Sequence, residues 1–482
     1  MQTFLWHDYE TFGADPRRDR PAQFAAIRTD LQLNELQAPL EWFCQPPQDY
    51  LPDAQACLIT GITPQRAWQQ GVSEAVFAQR VHDAFSQPGT IGVGYNTIRF
   101  DDEFTRFLLW RNLRDPYARE WRDGNGRWDL LDVVRMAYAL RPDGLQWPLG
   151  DDGRVSFRLE ALTAANGLAH EAAHDAVSDV RATIALARRL RQCNERLFDF
   201  ALRLRDKRAV AQELGLPAAP AQARPFVHVS GMFPVEQGCM AVMWPLASHP
   251  HNRNELIAWN LAHDPSELAE LDARSIRQRL FTRQADLPEG VQRLPIKTVH
   301  LNKSPMVVGN CKVLTPALQQ RWGLDWAQIE RHAQAARALP DMSAVWAEVF
   351  QRPAAPAQPL PAEQDLYGGF VGDADRQRLG RLLQQPVAQW PAGERGMGFD
   401  DARLDELVFF YRARNYPDTL DEAQRRRWEL HRKAVLIDGA GGARTAEQLM
   451  EQIDALSDTA TDEQQDILGA LYEWADAIVP EA

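Results

Sequence analysis

Four carboxylates and one histidine in this 482-residue chain are the residue types that a two-metal phosphodiester-cleaving site requires. They are Asp8 and Glu10 in LWHDYETFG, Asp101 in GYNTIRFDDE, and His174 and Asp179 in HDAVSD. Carboxylate oxygens are the ligands that Mg²⁺ prefers, and a histidine can take a proton from water. If these distant segments converge, we expect the protein to cut nucleic acid from a strand end.

The local setting of the first three acids supports this interpretation. The run TFLW predicts a buried strand, beyond which Asp8 and Glu10 point to one face because side chains alternate along a strand. Asp101 follows a second strand-like run, residues 90–95, and opens a segment with apolar residues at helical spacing. Taken alone, Asp8 and Glu10 could be polar residues at a strand end. Asp101 or its neighbour Asp102 could equally be an acid that favours a helix dipole.

His174 and Asp179 are five residues apart and would lie on different faces of a continuous helix. We therefore predict that His174 lies on the loop before the helix, with Asp175 near the N-cap and Asp179 one turn in. A histidine on a loop could act as the base, with Asp179 fixed as a ligand. A lone histidine is otherwise a surface residue or a satisfied core group. The predicted apolar stripe of the helix consists of Val177, Val180, Ile184 and Leu190.

Residues 170–174 also spell HExxH, the signature of zinc metalloproteases. That alternative needs a continuous helix across the motif and a third zinc ligand. Gly167, shortly before the motif, disfavours a helix there. A zinc protease would also leave Asp8, Glu10 and Asp101 unexplained, so the sequence favours the nuclease site.

Element patterns divide the chain into regions. Residues 1–194 alternate strand-like and helix-like segments, as an α/β domain does. Short apolar runs in residues 226–310 predict a small β-rich unit. A Pro/Ala-rich linker occupies residues 352–362, and nearly every pattern after it is helical. A similar stretch at residues 216–225 is a second possible place for the first boundary.

The five residues and their contexts resemble the DEDDh exonuclease superfamily, and more closely bacterial exonuclease I. The segments that carry this resemblance are HDYETFG, DRPAQFAAIRTD, LITGITPQ, GYNTIRFDDE, RWDLLDV, ALRPDG, SFRLEALT, HVSGMF, FFYRARNYP and LDEAQRRRWELHR. The resemblance implies an α/β fold that opens with a ribonuclease H-like DEDDh exonuclease domain at residues 1–194. An SH3-like β-rich domain with added helices would follow at 195–351, and a C-terminal helical domain at 352–482.

The resemblance also implies a Mg²⁺-dependent 3′→5′ exonuclease that degrades single-stranded DNA to 5′-mononucleotides in DNA repair or recombination. Asp8, Glu10, Asp101 and Asp179 would hold two Mg²⁺ ions, for which Mn²⁺ could substitute, and His174 would be the general base. Two alternatives remain open: a 3′→5′ exoribonuclease of the same superfamily, and a non-catalytic module that binds single-stranded DNA or a partner. The implied substrate-binding residues are Thr11, Phe12, Tyr95, Asn96, Arg99, Phe100 and Arg158.

The same resemblance implies a protein partner, the acidic and hydrophobic C-terminal tail of single-stranded DNA-binding protein. Arg141 in ALRPDG and Arg224 before HVSGMF match two basic positions of that binding site. Thr315 and Trp346 stand where two other basic positions are expected. The family resemblance further implies a monomer.

The net charge of −13 is unusual for a DNA-binding protein, because affinity for nucleic acid comes largely from neutralising phosphates. The basic charge must therefore be local. We predict that Arg412, Arg414 and residues 425–427 form part of the DNA path, since aromatic residues are interleaved with them. Alternatively, the aromatic residues are core, and the arginines are a solvated face or pair with nearby acids. These aromatic residues are Phe409, Phe410, Tyr411, Tyr416 and Trp428.

The cysteine pattern and the hydropathy of the chain predict the cellular compartment of the protein. Five cysteines without a CxxC pair argue for a reducing compartment and against a disulfide framework or a zinc cluster. No apolar stretch reaches 18 residues and no signal-like segment opens the chain. We therefore expect a cytoplasmic protein that does not associate with membranes.

Overall fold

The structure, a computed structural model, describes residues 1–168, 175–216, 223–351, 359–391 and 397–480. Its strands are β1 (Thr3–Thr11), β2 (Pro21–Thr29), β3 (Leu40–Phe43), β4 (Thr90–Gly94), β5 (Gly126–Asp129), β6 (Phe226–Val229), β7 (Met240–Ser248), β8 (Glu255–Asn260), β9 (Ile296–His300) and β10 (Met306–Val308). Its helices are α1 (Ala54–Thr60), α2 (Pro64–Gln70), α3 (Glu74–Ser86), α4 (Asp101–Arg111), α5 (Leu130–Leu140), α6 (Leu159–Ala165), α7 (Ala176–Cys193), α8 (Glu195–Arg203), α9 (Lys207–Leu214), α10 (Ala273–Phe281), α11 (Pro316–Arg321), α12 (Trp326–Arg337), α13 (Ser343–Val349), α14 (Asp373–Leu383), α15 (Arg403–Asn415), α16 (Glu422–Leu436), α17 (Ala446–Ser457) and α18 (Asp462–Ile478).

The chain divides into two compact units. The first contains the described residues within 1–126, 170–181 and 357–482, and the second contains those within 127–169 and 182–356. The C-terminal helices therefore belong to the same compact unit as the N-terminal strands. The domain boundaries expected near residues 195 and 352 stay predictions. No described helix is long and apolar enough to cross a membrane.

Four strands of the first unit lie in the order β3-β2-β1-β4. Strand β1 pairs antiparallel with β2 and parallel with β4, with Thr3 opposite Thr90 and Trp6 opposite Val93. Its predicted TFLW run is buried, as an interior strand requires. Because β1 and β4 are parallel, their carboxyl ends meet at one edge of the sheet, where α/β folds commonly bind ligands.

Apolar clusters join the C-terminal helices to the rest of the first unit. One cluster packs α1 and α2 against α17 and α18, with Ala54 and Cys57 among residues that include Leu449 and Leu471. A second cluster joins Trp110 of α4 to Leu404 and other residues of α15. The described residues beyond 362 form helices and turns only, which agrees with the helical pattern predicted for them.

The second unit contains an antiparallel sheet with strand order β10-β6-β7-β8-β9. These five strands fall between residues 226 and 308, so the predicted β-rich segment is confirmed. Its central strands are almost wholly buried, because apolar side chains occupy most of their positions. In the same unit, α10 lies between β8 and β9, and α11 to α13 follow the last strand.

Candidate active site

Three of the predicted carboxylates converge at the carboxyl end of β1. Asp8, Glu10 and Asp179 each place one oxygen so that all three atoms lie within 4.8 Å of one another. Asp8 and Glu10 share a face of β1, as their spacing predicted, and a β-bulge follows Glu10. Bulges near strand ends redirect side chains and are common beside active sites. The described residues contain no other cluster of potential metal ligands of this kind.

Asp179 reaches the cluster from the first turn of α7. The carboxylate of Asp175 accepts a hydrogen bond from the Ser178 backbone at 3.0 Å, and the Asp179 N–H donates to the Asp175 carbonyl at 3.0 Å. Asp175 thus caps the helix and Asp179 lies one turn in, which confirms the predicted arrangement. His174 and the whole HExxH motif lie outside the described residues, so the role of His174 stays a prediction.

Asp101 is the first residue of α4 and is buried beside the same cluster. Its Oδ1 accepts a hydrogen bond from the backbone N–H of Tyr9 at 3.0 Å. Tyr9 lies between Asp8 and Glu10 on β1, so this bond fastens the fourth carboxylate to the strand that bears two of the others. Thr105 adds a hydrogen bond to the Asp101 carbonyl at 2.8 Å.

The loop between β4 and α4 depends on a glycine. A Cβ added at Gly94 would lie 2.5 Å from the His7 carbonyl oxygen and 2.2 Å from Thr97 Cγ2. The loop can therefore fold closely over β1 only because Gly94 has no side chain. Thr97 then accepts a hydrogen bond from the Asp102 N–H at 2.9 Å, which places the start of α4 against the strand.

Asp101 and Asp102 have different roles, although the sequence left open which of them would cap the helix. Asp101 borders the acid cluster, whereas Asp102 is buried and forms an ion pair with Arg119 at 2.7 Å. Arg119, which lies in the short 3₁₀ turn Ala118–Glu120, was not predicted from the sequence. An arginine in an irregular segment carries no local signal of such a role.

The electrostatics of the cluster favour a divalent cation. Burial, together with repulsion from Asp179, raises the pKa of Asp8 to about 8. Burial and repulsion from neighbouring acids raise the pKa of Glu10 to about 9. Burial and the charge of Asp8 also raise the pKa of Asp101 above its ordinary value. A cation would offset this repulsion, and an all-oxygen donor set fits Mg²⁺ or Mn²⁺.

The predicted substrate residues lie in three places. Thr11 is buried at the end of β1, where its hydroxyl donates to the Gly13 carbonyl at 2.8 Å. The Phe12 side chain is fully buried, so it can support the wall of a pocket but has no face open to solvent. In the loop of residues 95–100, Asn96 and Arg99 are exposed, and Tyr95 and Phe100 are partly buried. Arg158 is exposed and belongs to the second unit.

The prediction that Arg412 and Arg414 form part of the DNA path is wrong. Arg414 is buried and forms ion pairs with Asp49, at 2.6 Å, and with Glu363. Arg412 is also buried, and its guanidinium donates to the Thr419 hydroxyl at 2.8 Å and to the Thr419 carbonyl. Neither guanidinium is therefore available to DNA. Arg414 is paired with acids distant in sequence, and Arg412 is bound to the hydroxyl and carbonyl of Thr419.

The interleaved aromatic residues are core, which is the alternative that the sequence left open. Phe409, Phe410 and Trp428 are buried together in one apolar cluster. Residues 425–427 are exposed, so their part in the DNA path stays a prediction. Arg426 does lie 3.5 Å from the exposed Glu422, as the competing interpretation expects.

Comparison with known proteins first assigns a class. The exonuclease family matches residues 5–187, the segment that contains the acid cluster, so the fold and site define an exonuclease. The exonuclease I SH3-like domain matches residues 205–352, and the exonuclease I C-terminal domain matches residues 361–478. Exodeoxyribonuclease I of Escherichia coli is 44% identical over 99% of this chain and 98% of its own length. The chain therefore belongs to the exonuclease I family of exodeoxyribonucleases.

Solved structures of exonuclease I are similar to this chain over its whole length. An exonuclease I from Methylocaldum szegediense matches with a TM-score of 0.93 and 43% identity, covering 100% of both chains. The zinc-bound complex of Escherichia coli exonuclease I with single-stranded DNA gives 0.91 and 43%, also over 100% of both chains. A structure of SSB/exonuclease I with the inhibitor CFAM gives 0.88 and 42%, over 99% of this chain and 100% of that one. The predicted fold class is confirmed, and the exonuclease fold implies a divalent metal.

Proposed function

We propose that this chain is a Mg²⁺-dependent 3′→5′ exonuclease that degrades single-stranded DNA to 5′-mononucleotides. The observation that carries the proposal is the convergence of Asp8, Glu10 and Asp179 at the end of β1, with Asp101 fastened beside them. The Escherichia coli relative bound to single-stranded DNA supports the choice of substrate. Such an activity would serve DNA repair or recombination, and we propose that the protein is cytoplasmic.

Each residue of the site has a distinct part in this proposal. Asp8, Glu10, Asp101 and Asp179 would hold two Mg²⁺ ions, or Mn²⁺ as a substitute. Mg²⁺ bound there would lower the pKa of the attacking water and stabilise the leaving 3′ oxygen. The Tyr9 N–H keeps Asp101 in place, and His174 takes the proton of the water.

The strand end would be bound by residues around the cluster. Asn96 and Arg99 project from the loop that leads into α4, where an exposed guanidinium can meet a phosphate. Tyr95 and Phe100 of the same loop offer aromatic surface for a base. Thr11 ends β1 and Phe12 directly follows it, and both would support the terminal nucleotide. Arg158, an exposed arginine of the second unit, is a further candidate for a phosphate contact.

Two pockets of the second unit support binding of the acidic tail of single-stranded DNA-binding protein. One, of about 600 Å³, combines Arg141 and Arg196 with apolar residues that include Leu197 and Phe200. The combination of cations and apolar walls suits a peptide that is both acidic and hydrophobic. The SSB/exonuclease I structure supports the same partner.

The other pocket, of about 510 Å³, combines Arg224 and Lys312 with Trp326 and Thr315. Thr315 caps α11 through a hydrogen bond to the Leu318 N–H. Trp346, at the other changed basic position, is buried in α13. The cations of this pocket are therefore Arg224 and Lys312, and we propose that a monomer presents both pockets.

The decisive experiment is a time course on 5′-labelled single-stranded DNA with Mg²⁺. We expect stepwise shortening from the 3′ end and release of nucleoside 5′-monophosphates, with duplex DNA digested much more slowly. Asp8→Asn and Asp179→Asn should abolish cleavage but keep most single-strand binding, because distributed phosphate contacts supply the affinity. Asp83→Asn, at an exposed carboxylate on α3, is the matched control and should cleave normally. Turnover near wild type in either of the first two variants would contradict the proposed site.

A matched RNA strand tests the substrate in the same experiment. We expect little digestion of RNA, and equal digestion would make the protein a ribonuclease of the same chemistry. Binding of a labelled acidic tail peptide should weaken in Arg141→Ala and Arg224→Ala. Arg154→Ala, at an exposed arginine of the same unit that lines neither of the two pockets, is the control.

A further inference from the structure

Helix α4 begins in an unusual way for a helix that carries a proposed ligand at its first position. Its N-cap residue, Phe100, provides no side-chain hydrogen bond to the backbone N–H groups of the first turn. Side-chain caps normally supply this fixation. The position of Asp101 must therefore depend on other contacts of the first turn.

Two adjacent acids supply those contacts. Asp101 accepts the Tyr9 N–H at 3.0 Å, and Asp102 binds the guanidinium of Arg119 at 2.7 Å. The side chains of Asp102 and Arg119 are 1% and 2% exposed, so this ion pair is excluded from water. Because the two acids are neighbours in one helical turn, a shift of Asp102 must also move Asp101.

The guanidinium of Arg119 packs against an aromatic ring. Its guanidinium lies 4.6 Å from the centre of the Phe85 ring. A Cβ at Gly92 would approach the Phe85 ring to 2.9 Å, so the glycine makes room for that ring on β4. Gly92 lies opposite Leu5 of β1, so the ring that contacts Arg119 packs beside the strand that bears Asp8.

The residue after Arg119 also holds α4. Glu120 accepts two hydrogen bonds from the Arg106 guanidinium, at 2.7 and 2.9 Å. The 3₁₀ turn Ala118–Glu120 therefore holds α4 at two residues, Asp102 and Arg106. Both contacts are charged; Asp102 is adjacent to Asp101, and Arg106 lies about one and a half turns further along α4.

We propose that Arg119 is a positioning residue for the metal site, which acts through Asp102 to fix the first turn of α4 and with it Asp101. Without the guanidinium, the Asp102 carboxylate would have to stay charged without a cation, or take up a proton, in a water-excluded place, and either change is costly. The turn would relax to relieve that cost, and Asp101 would leave its position. Partners that orient metal ligands typically contribute 10- to 100-fold to metal affinity.

The test measures Mn²⁺ binding by electron paramagnetic resonance, in the absence of DNA. It compares Arg119→Met, Asp102→Asn and the double variant with the wild type. We expect each single variant to bind Mn²⁺ roughly 10- to 100-fold more weakly. The double variant should be no weaker than the weaker single variant, because both changes act on one contact. Arg122→Met, at an exposed arginine three residues along the chain, should bind normally.

Three outcomes would overturn the proposal. Affinity within twofold of wild type in a folded Arg119→Met protein would leave Arg119 a merely structural role, even if the melting temperature fell. Additive losses in the double variant would show that Arg119 does not act through Asp102. If Arg119→Met fails to fold, Arg119→Lys replaces it, because lysine keeps the charge but not the planar fork. Unchanged Mn²⁺ affinity in both Arg119→Lys and Asp102→Asn would be the third outcome that overturns the proposal.

The inference rests on the proposed metal site, and the two can fail separately. Asp8→Asn should lose Mn²⁺ binding if the acid cluster is the metal site. Retained binding in that variant would contradict the proposed function. Loss of binding in Asp8→Asn with normal binding in Arg119→Met would contradict only the positioning role.

Discussion

Replacing Arg414 with methionine should destabilise the first unit strongly, although the residue lies in a segment whose cations resemble a DNA contact. The Arg414 side chain is 4% exposed, and its guanidinium joins Asp49 to Glu363. Asp49 also lies 3.1 Å from His431 Nε2, and Glu363 lies 3.7 Å from Arg20. Methionine would remove the shared cation and leave two buried carboxylates in place.

The expected magnitude follows from those two acids. Burial alone would raise the pKa of Glu363, but the Arg414 guanidinium, with a smaller contribution from Arg20, lowers it to about 2 from an ordinary 4.5. A difference of roughly 2.5 pKa units corresponds to about 3 kcal/mol of stability at neutral pH. The pKa of Asp49 is likewise held well below its usual range against burial. Breaking a buried ion pair by removing one partner costs about 3–5 kcal/mol, so we expect a loss of this size.

Urea unfolding followed by tryptophan fluorescence measures the loss as a shift in midpoint at unchanged slope. Arg426→Met on the next helix is the matched control, since Arg426 is 74% exposed and its partner Glu422 is 93% exposed. Exposed pairs contribute about 0–1 kcal/mol, so the control should barely shift. A loss below about 1 kcal/mol in Arg414→Met, or equal shifts in both variants, would refute the reasoning.

The same acids set the pH dependence of that loss. Because the pKa of Glu363 is lower in the folded protein, its ionisation stabilises the fold above about pH 4.5. That contribution disappears as the pH falls from about 4.5 to about 2. The difference in stability between the wild type and Arg414→Met should therefore shrink over this interval. A difference that stays constant down to the lowest pH would contradict the assignment to charge.

The remaining predictions concern the site, the loop before α4 and the DNA path. His174→Ala should lower turnover by roughly 10²–10⁴-fold, and His170→Ala should have little effect. An equal loss of turnover in both variants, together with the loss of bound zinc, would favour the HExxH site. Divalent-metal affinity should rise with pH up to about 9, because Asp8 and Glu10 must lose protons first, and calorimetry in two buffers should detect proton release. Gly94→Ala should lower the free energy of unfolding by roughly 1–3 kcal/mol, whereas Gly380→Ala, with open space around it, should not. Arg426→Ala should reduce the slope of log affinity against log salt by about 0.7 on long single strands if residues 425–427 contact phosphates.

Much of the site could be predicted from local rules. The alternation of a strand places Asp8 and Glu10 on one face, and the capping preference of Asp175 places Asp179 one turn into α7. Both rules act over a few residues, so one sequence contains all the information they need. The convergence of these segments was expected from their chemistry, and the 4.8 Å cluster of three acids confirms it for Asp8, Glu10 and Asp179.

The prediction for Arg414 failed because the partners of this residue are distant in sequence. Arg414 pairs with Asp49, which lies 365 positions earlier. No local pattern distinguishes this buried arginine from an exposed one such as Arg426. The ion pair of Asp102 with Arg119 was missed for a similar reason, because tertiary packing alone decides which of two adjacent acids faces a cation.

The direction of the pKa shift separates the two kinds of buried carboxylate in this protein. Asp49 and Glu363 have lowered pKa values, because a guanidinium of the chain itself compensates them. Asp8 and Glu10 have raised pKa values, because burial and repulsion from neighbouring acids both disfavour their charged forms. A fold gains no stability from crowding uncompensated acids, so their presence points to a cation supplied from outside the chain. The pKa of Asp101 is also raised, by burial and by the charge of Asp8 beside it.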